Sequence, residues 1–174
     1  QTYEFMITRS EPFVIQQILN DVVKSDFQIP IDNIFSAFGQ FIIFAPELGI
    51  SSPSFNDLFQ PTLFPSVEYG MAANIWAQMW SAGGWGLLSV FLLIFNVVLT
   101  IGNASLRSPS IIIRAGFAPM FLYWAFYIHR NDISYAINIE KRLLIILLTC
   151  IALAYLLSLL SQGAKLNKKR QTDV

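Results

Sequence analysis

The distribution of apolar and polar positions divides the chain into a mixed N-terminal half and a mostly apolar C-terminal half. Three apolar stretches in the second half cover residues 85–102, 111–128 and 143–161. Each is about long enough to cross a hydrocarbon layer of about 30 Å as a helix. Because lipid offers no partner for open backbone groups, only helices or closed barrels span a membrane. The pattern therefore predicts an all-α, polytopic membrane fold with three spans in this chain.

Shorter helical patterns precede the spans. After Ser10-Glu11-Pro12, an amphipathic helix is predicted with one apolar face, formed by Ile15, Ile18, Leu19, Val22 and Val23. A second helix is predicted from about Asp32 to Pro46. Since that helix is too short to span, we expect it to lie in the membrane interface or to re-enter partway.

The segment before the first span is rich in proline and serine. Its four prolines between Pro46 and Pro65 predict an irregular loop. Ser66 is then predicted to cap a helix that runs through Met79 and enters the membrane by way of a flexible glycine-rich stretch at residues 83–86. The external part is thus expected to combine amphipathic helices with one irregular loop.

Basic residues predict the orientation, because positively charged connectors stay on the cytoplasmic side of a membrane. Residues 162–174 form a basic tail, which we expect to be cytoplasmic. Residues 84–161 are then the three spans, and residues 1–83 are an external, periplasmic segment of a bacterial inner-membrane protein. Acids outnumber bases in that segment, which agrees with this orientation, whereas Lys141 and Arg142 fall on the external side and count against it.

Composition narrows the function classes. The chain is 55% hydrophobic and 13% charged, while soluble domains carry nearer a quarter charged residues. A net charge of zero argues against nucleic-acid binding. With one histidine and one cysteine, neither a metal site nor another cofactor is predicted. The chain begins at Gln1 without a signal-type segment, so we interpret it as a piece of a longer protein, with further N-terminal spans and membrane lipid as its partners.

Polar residues that could carry chemistry gather where the second span ends, at residues 127–132. Arg130 offers a planar fork for diphosphate oxygens, and His129 can exchange a proton near neutral pH. The alternative interpretation is structural: Arg130 reaches the headgroups, and Asp132 caps the next short helix. Arg9 and Glu68 belong to two further polar clusters, for which helix-end electrostatics is the alternative explanation.

Aromatic rings flank the predicted outer ends of the first two spans. They are Trp76, Trp80, Trp85, Tyr123, Trp124 and Tyr127. Such rings prefer the headgroup level, so they predict the outer membrane boundary near residues 83 and 127. The same rings, Trp80 among them, can stack on sugars, and the two uses are compatible.

The order of these features resembles the C-terminal part of bacterial O-antigen or oligosaccharide repeat-unit polymerases, over about residues 66–161. The resemblance rests on the glycine-containing run at residues 76–87, a basic inner connector, and the closing Arg130-Asn131-Asp132. In that family an acid commonly precedes the glycine turn, in a Glu-x-Tyr-x-x-x-Gly pattern. Gln78 stands here in the acid's place and Trp80 in the aromatic's, whereas the Arg-x-Asp pattern fits Arg130 and Asp132.

The resemblance implies a membrane glycosyltransferase that joins repeat units carried on undecaprenyl diphosphate. A sugar hydroxyl of one unit attacks the anomeric carbon of a growing glycan, and the lipid diphosphate leaves. On this hypothesis the contacts to diphosphate or glycan come from Arg130, Asp132, Arg9 and Trp80, and proton handling comes from His129 or Glu68. The alternatives are an O-antigen ligase-like glycosyltransferase, a transporter fragment and a non-catalytic membrane subunit.

Overall fold

The computed structural model of this chain describes residues 11–172 apart from residues 43, 46, 47 and 68–70, with side chains described between residues 13 and 160. Helices are the only regular elements in this part of the chain: α1 Glu11–Lys24, α2 Asp32–Gly39, α3 Phe55–Leu63, α4 Ile75–Leu106, α5 Ile111–Leu122 and α6 Ile133–Thr172. A π turn at Tyr123–Tyr127 and a 3-10 turn at Ile128–Arg130 continue α5. The predicted all-α fold is confirmed.

Three helical segments are long and apolar enough to cross a membrane. They are Ile75–Leu106, Ile111–Arg130 and Ile133–Leu160. They contain the three predicted stretches almost entirely, so the chain has the make-up of a multi-pass membrane protein. The last span begins earlier than expected, because α6 starts directly after Asp132 where a short separate helix was predicted.

The chain divides into two compact units, Gln1–Glu140 and Lys141–Val174. The second unit contains the greater part of α6. Its large apolar side chains are exposed along the helix, as Leu153 and Leu157 illustrate at 55% and 66%. A helix with an apolar surface all round is typical of one that lies in lipid.

The first cluster of buried side chains in the first unit confirms the amphipathic character of α1. Ile18 and Val22 of α1 are fully buried and pack with Phe55 and Phe59 of α3. Val23, which was assigned to the same face, is instead 40% exposed. The apolar face of α1 is therefore covered by protein.

Helix α3 corrects the prediction of an irregular loop between Pro46 and Pro65. Ser54 caps it by accepting a hydrogen bond from the Asn56 backbone N–H at 3.3 Å. Phe55 and Phe59 stand four residues apart, so they share one helical face and bury it together. The prolines hid this helix, because Pro61 lies inside it and suggested a break.

A second buried cluster joins α2 to α4. Ile34 and Ala37 of α2 pack with Ile75, Met79 and Phe91 of α4. Helix α2 starts at Asp32 as predicted but ends at Gly39, well before the expected stop at Pro46. Its opposite face remains exposed.

The start of α4 differs from the prediction. Asn74, not Ser66, is its N-cap, and its Oδ1 accepts hydrogen bonds from the backbone N–H groups of Trp76 at 2.9 Å and Ala77 at 3.1 Å. The Asn74 amide also donates to the Ile15 carbonyl of α1 at 2.8 Å. Both Ser66 and Asn74 are suitable caps by residue type. The contact with α1 is available only to Asn74.

Gly83 and Gly84 interrupt α4. Gly84 has φ +57° and ψ −148°, a backbone conformation that residues other than glycine rarely adopt. The helix is thereby split into a first part that contributes Ile75 and Met79 to the buried cluster with α2 and a second part that contributes Phe91 to it and carries the long apolar run.

The first two spans approach each other closely where Gly102, near the end of the first, meets Phe121, midway along the second. A Cβ atom added at Gly102 of α4 would lie 2.5 Å from the Phe121 ring of α5. Small residues allow such close helix contacts in membranes, where packing drives association. Pro119 lies inside α5, shortly before the π turn at Tyr123–Tyr127.

Candidate functional site

The junction between the second and third spans lines two adjoining cavities. The first, of about 230 Å³, is the loop cavity, lined by Ser54, Asn56, Met71, Ala72, Ala73, Arg130, Asn131, Asp132 and Tyr135. The second, of about 430 Å³, is the tyrosine cavity, lined by Tyr123, Tyr127, Arg130, Asn131, Tyr135 and Ile139. Because Arg130, Asn131 and Tyr135 line both, we call the two cavities together the Arg130 cleft.

Arg130 is exposed at the end of the 3-10 turn that closes the second span. Its position in both cavity walls puts a guanidinium group, with its planar set of donors, where the two cavities adjoin. Arg130 and Asp132, the two residues of the Arg-x-Asp pattern, both line the loop cavity.

Asp132 has a demanding structural role. It is only 3% exposed. Its Oδ2 accepts hydrogen bonds from Ser54 Oγ at 2.8 Å and from the Phe55 N–H at 2.9 Å, and its Oδ1 accepts from the Tyr135 N–H at 2.7 Å. One carboxylate therefore caps α6 and also lies at the N-terminus of α3, where helix dipoles favour negative charge. This geometry favours the structural interpretation of Asp132.

Gln78 supports the same junction from α4. Its side chain is 1% exposed, and its Oε1 accepts a hydrogen bond from the Ile133 N–H at 2.8 Å. The first backbone N–H groups of a helix have no partner within the helix. Gln78 and Asp132 thus satisfy two of these groups in α6. Gln78 therefore has a structural role at the start of α6.

His129 lies in an aromatic cluster, half-buried. The Trp76 indole N–H donates a hydrogen bond to His129 Nδ1 at 2.9 Å, and the two rings stack with centroids 5.5 Å apart. Phe95 packs edge-on against both rings. An indole can only donate, so Nδ1 is the accepting nitrogen and the neutral ring carries its proton on Nε2. His129 is therefore arranged to donate a hydrogen bond through Nε2.

Trp80 lies away from the Arg130 cleft. It packs edge-on against Trp85, with ring centroids 4.8 Å apart. It lines a separate cavity of about 210 Å³ beside Gly83 and Gly84. Its predicted contact with sugar stays a prediction, and any such contact would be made in this other cavity.

Two predicted site residues, Arg9 and Glu68, lie outside the described residues. Their roles in substrate binding and proton handling stay predictions. Within the part of the chain that the structure describes, no three histidine, cysteine, aspartate or glutamate side chains come together as a metal site would require.

Among the described residues, three buried side-chain atoms have no hydrogen-bond partner: Asn56 Oδ1, Ser134 Oγ and Glu140 Oε1. The buried Tyr123 hydroxyl has the Asn131 side chain as its hydrogen-bonding neighbour. Two of these residues, Asn56 and Tyr123, line the two cavities of the Arg130 cleft. Buried polar atoms in folded proteins almost always have partners, so Asn56 Oδ1, in the wall of the loop cavity, is a candidate ligand contact.

Sequence analysis missed several residues of the cleft. Asn56 belongs to a helix that was predicted as loop, so nothing linked it to residue 130. Tyr135 follows Asp132 by three positions within the connector, and a helix start at Asp132 is the signal that could have placed it there.

Comparison with known proteins adds no relative. No family model, no curated protein and no solved structure matches this chain. Functional reasoning therefore rests on the cleft itself and on the sequence resemblance.

Proposed function

We propose that this chain is the C-terminal part of an integral-membrane glycosyltransferase. The protein would polymerise oligosaccharide repeat units carried on undecaprenyl diphosphate into an O-antigen or capsule-type polysaccharide. The observation that carries the proposal is the Arg130 cleft, in which a guanidinium group adjoins an aromatic cavity at the end of a membrane span. A lipid-linked glycan presents this combination of an anionic diphosphate and sugar rings at the membrane surface.

Arg130 is proposed to hold the diphosphate of the donor. Arginine forms paired hydrogen bonds with phosphate oxygens, and charge-assisted bonds of this kind are about twice as strong as neutral ones. Diphosphate is already a good leaving group, so the protein's main tasks are to neutralise its charge and to align the attacking hydroxyl. His129, on the same turn, lies in the Trp76–Phe95 cluster and lines neither cavity of the cleft, so its proton-handling role stays a prediction.

The tyrosine cavity is proposed to receive sugar rings. Tyr123, Tyr127 and Tyr135 line it with aromatic faces and polar hydroxyls. The apolar faces of sugars pack against aromatic rings, while their hydroxyls need polar partners. The volume of about 430 Å³ lies within the range typical of small-molecule sites.

Asp132 and Gln78 are proposed to position the cleft without touching substrate. Their hydrogen bonds hold the start of α6, and with it Tyr135, against α3 and α4. Catalytic alignment is sensitive to displacements of about 1 Å. The orientation proposed for this function puts residues 1–83 and the Arg130 cleft in the periplasm and the basic tail in the cytoplasm.

The function is tested with Arg130→Ala in the protein that carries this chain, expressed in its own host. The expected result is a loss of polymer on the lipid carrier by about a hundredfold or more, because a charge-stabilising donor is removed. Arg130→Lys should retain part of the activity, since lysine keeps the charge but not the planar fork. Polymer length is read by electrophoresis of the lipid-linked glycans.

Arg142→Ala is the matched control, because Arg142 is exposed and lines neither cavity of the Arg130 cleft. It should leave polymer length unchanged. Unaltered polymer in Arg130→Ala, at normal protein abundance, would remove Arg130 from the site. Loss of transfer to the final acceptor with normal lipid-linked polymer would instead favour the ligase-like alternative.

The orientation is tested separately by cysteine labelling. In a Cys150→Ser background, Asp57→Cys, at an exposed position of α3, should react with a membrane-impermeant reagent in intact cells freed of their outer membrane. Lys168→Cys should react only after the membrane is opened. The reverse labelling pattern would overturn the periplasmic placement.

A further inference from the structure

Helix α2 and the turns that follow it present an apolar surface to the outside of the protein. Residues 33–46 contain no charged residue. Several large side chains of this segment are exposed, and Phe35 and Phe44 reach 65% each. We call this set the phenylalanine face; it consists of Phe35, Phe38, Phe41, Ile42, Phe44 and Leu48. A group of exposed apolar side chains of this size marks a surface that contacts a partner or a membrane.

The polar groups of the same segment are satisfied from within it. Gln40 is buried, and its side-chain amide donates a hydrogen bond to the Ile50 carbonyl at 3.2 Å. Ser52 Oγ donates to the Asn33 carbonyl at 3.2 Å. Several backbone N–H groups of the turns also find acceptors inside the segment, namely those of Gln40, Phe41, Ile42, Ala45, Leu48 and Ile50. Because unpaired polar groups are costly where water is scarce, this arrangement suits a segment at a membrane interface.

The buried side of α2 lies against the start of the first span. Ile34 and Ala37 belong to one buried cluster with Phe91, which lies six positions into the predicted apolar stretch 85–102. Six positions of helix rise about 9 Å, so this cluster reaches membrane level. Leu93 of the same stretch is 68% exposed. Since α2 packs beside the span, lipid is the partner that the fold itself brings next to the phenylalanine face.

We propose that the phenylalanine face is a membrane-interface anchor that inserts into the leaflet holding the start of the first span. An interfacial helix buries its apolar face about 5–10 Å into the boundary between headgroups and acyl chains. Helix α2 has 8 residues, which favours this placement over re-entry into the bilayer. Asp32, exposed at the start of α2, stays in contact with water. The anchor does not depend on the glycosyltransferase function.

The test is spin labelling of the complete protein in proteoliposomes, in a cysteine-free background that includes Cys150→Ser. A nitroxide is attached at Phe38→Cys. Its collision rates are measured with oxygen, which concentrates in lipid, and with a nickel chelate, which stays in water. Exposed Leu93→Cys in the span is the lipid reference, and exposed Asp57→Cys on α3 is the water reference. We expect the oxygen-to-nickel ratio at position 38 to exceed that at position 57 severalfold and to approach that at position 93.

Two results would overturn the anchor. A ratio at position 38 equal to that at position 57 would put the phenylalanine face in water. Low collision rates with both reagents would show that protein covers the face, either a further span of the same protein or a second copy of the chain. Phe35→Cys and Phe41→Cys repeat the measurement at independent positions of the face, so the result stands where one variant fails to fold.

Discussion

Asp132 provides the most direct test of how this junction is held together. In Asp132→Ala the buried Phe55 N–H loses its partner, which costs about 1–3 kcal/mol. The Tyr135 N–H loses an N-cap, which costs about 0.5–2 kcal/mol. Ser54 Oγ is partly buried and can turn to water. The expected loss in the free energy of unfolding is therefore about 2–5 kcal/mol.

The stability of Asp132→Asn should fall between those of the unmodified protein and Asp132→Ala. An amide oxygen can serve either Phe55 or Tyr135 but not both, so the expected loss is about 1–3 kcal/mol. The measurement is an SDS titration in detergent micelles, followed by circular dichroism. Asp57→Asn, an exposed acid in the first turn of α3, is the matched control and should change the stability little. Our account of the junction fails if Asp132→Ala lies within about 1 kcal/mol of this control.

Three further substitutions test the backbone and the helix contacts by the same titration. Gly84→Ala should cost about 1–3 kcal/mol, because a side chain is strained at this φ and ψ. Gly102→Ala should cost about 1–3 kcal/mol, since its Cβ would overlap the Phe121 ring, and replacement of that ring by alanine in the double variant should relieve the overlap. Gln78→Leu should cost about 1–3 kcal/mol by leaving the Ile133 N–H unpaired.

Matched changes exist for two of these substitutions. Gly86→Ala places a Cβ in open space within the helical part of α4, so it should be neutral or slightly stabilising. Gln16→Leu changes an exposed glutamine on α1 and should have little effect. Equal losses in the free energy of unfolding for Gly84→Ala and Gly86→Ala would refute the claim that the positive φ of Gly84 requires glycine. Equal losses in Gln78→Leu and Gln16→Leu would refute the role given to the Ile133 N–H.

Local signals identified most of the helices but missed α3 and misplaced several helix ends. The spacing of apolar residues was sufficient to predict α1, because these residues follow the helical period. The start of α4 was missed because Ser66 and Asn74 are both good caps, and only the bond from Asn74 to the Ile15 carbonyl distinguishes them. Helix α3 was missed because the prolines of this segment predicted a loop, whereas the helix is held by two buried phenylalanines on one face.

The candidate site was predicted in part. The cluster at residues 129–132 was found from residue types alone, and Arg130 does line a cleft. The sequence could not distinguish a helix-capping role of Asp132 from a substrate-binding one, since a carboxylate side chain suits both. Asp132 is assigned by its bond to Phe55, 77 positions away along the chain.

What this sequence determines by itself is its relation to the membrane. The length of an uninterrupted apolar run is a local property, and a helix satisfies its own backbone, so three spans follow without any knowledge of tertiary contacts. The tertiary structure decided which polar side chains are hydrogen-bonded within the protein and which face a cavity. Those outcomes depend on partners far apart in the chain, such as Trp76 with His129 and Gln78 with Ile133, which only folding brings within hydrogen-bonding distance.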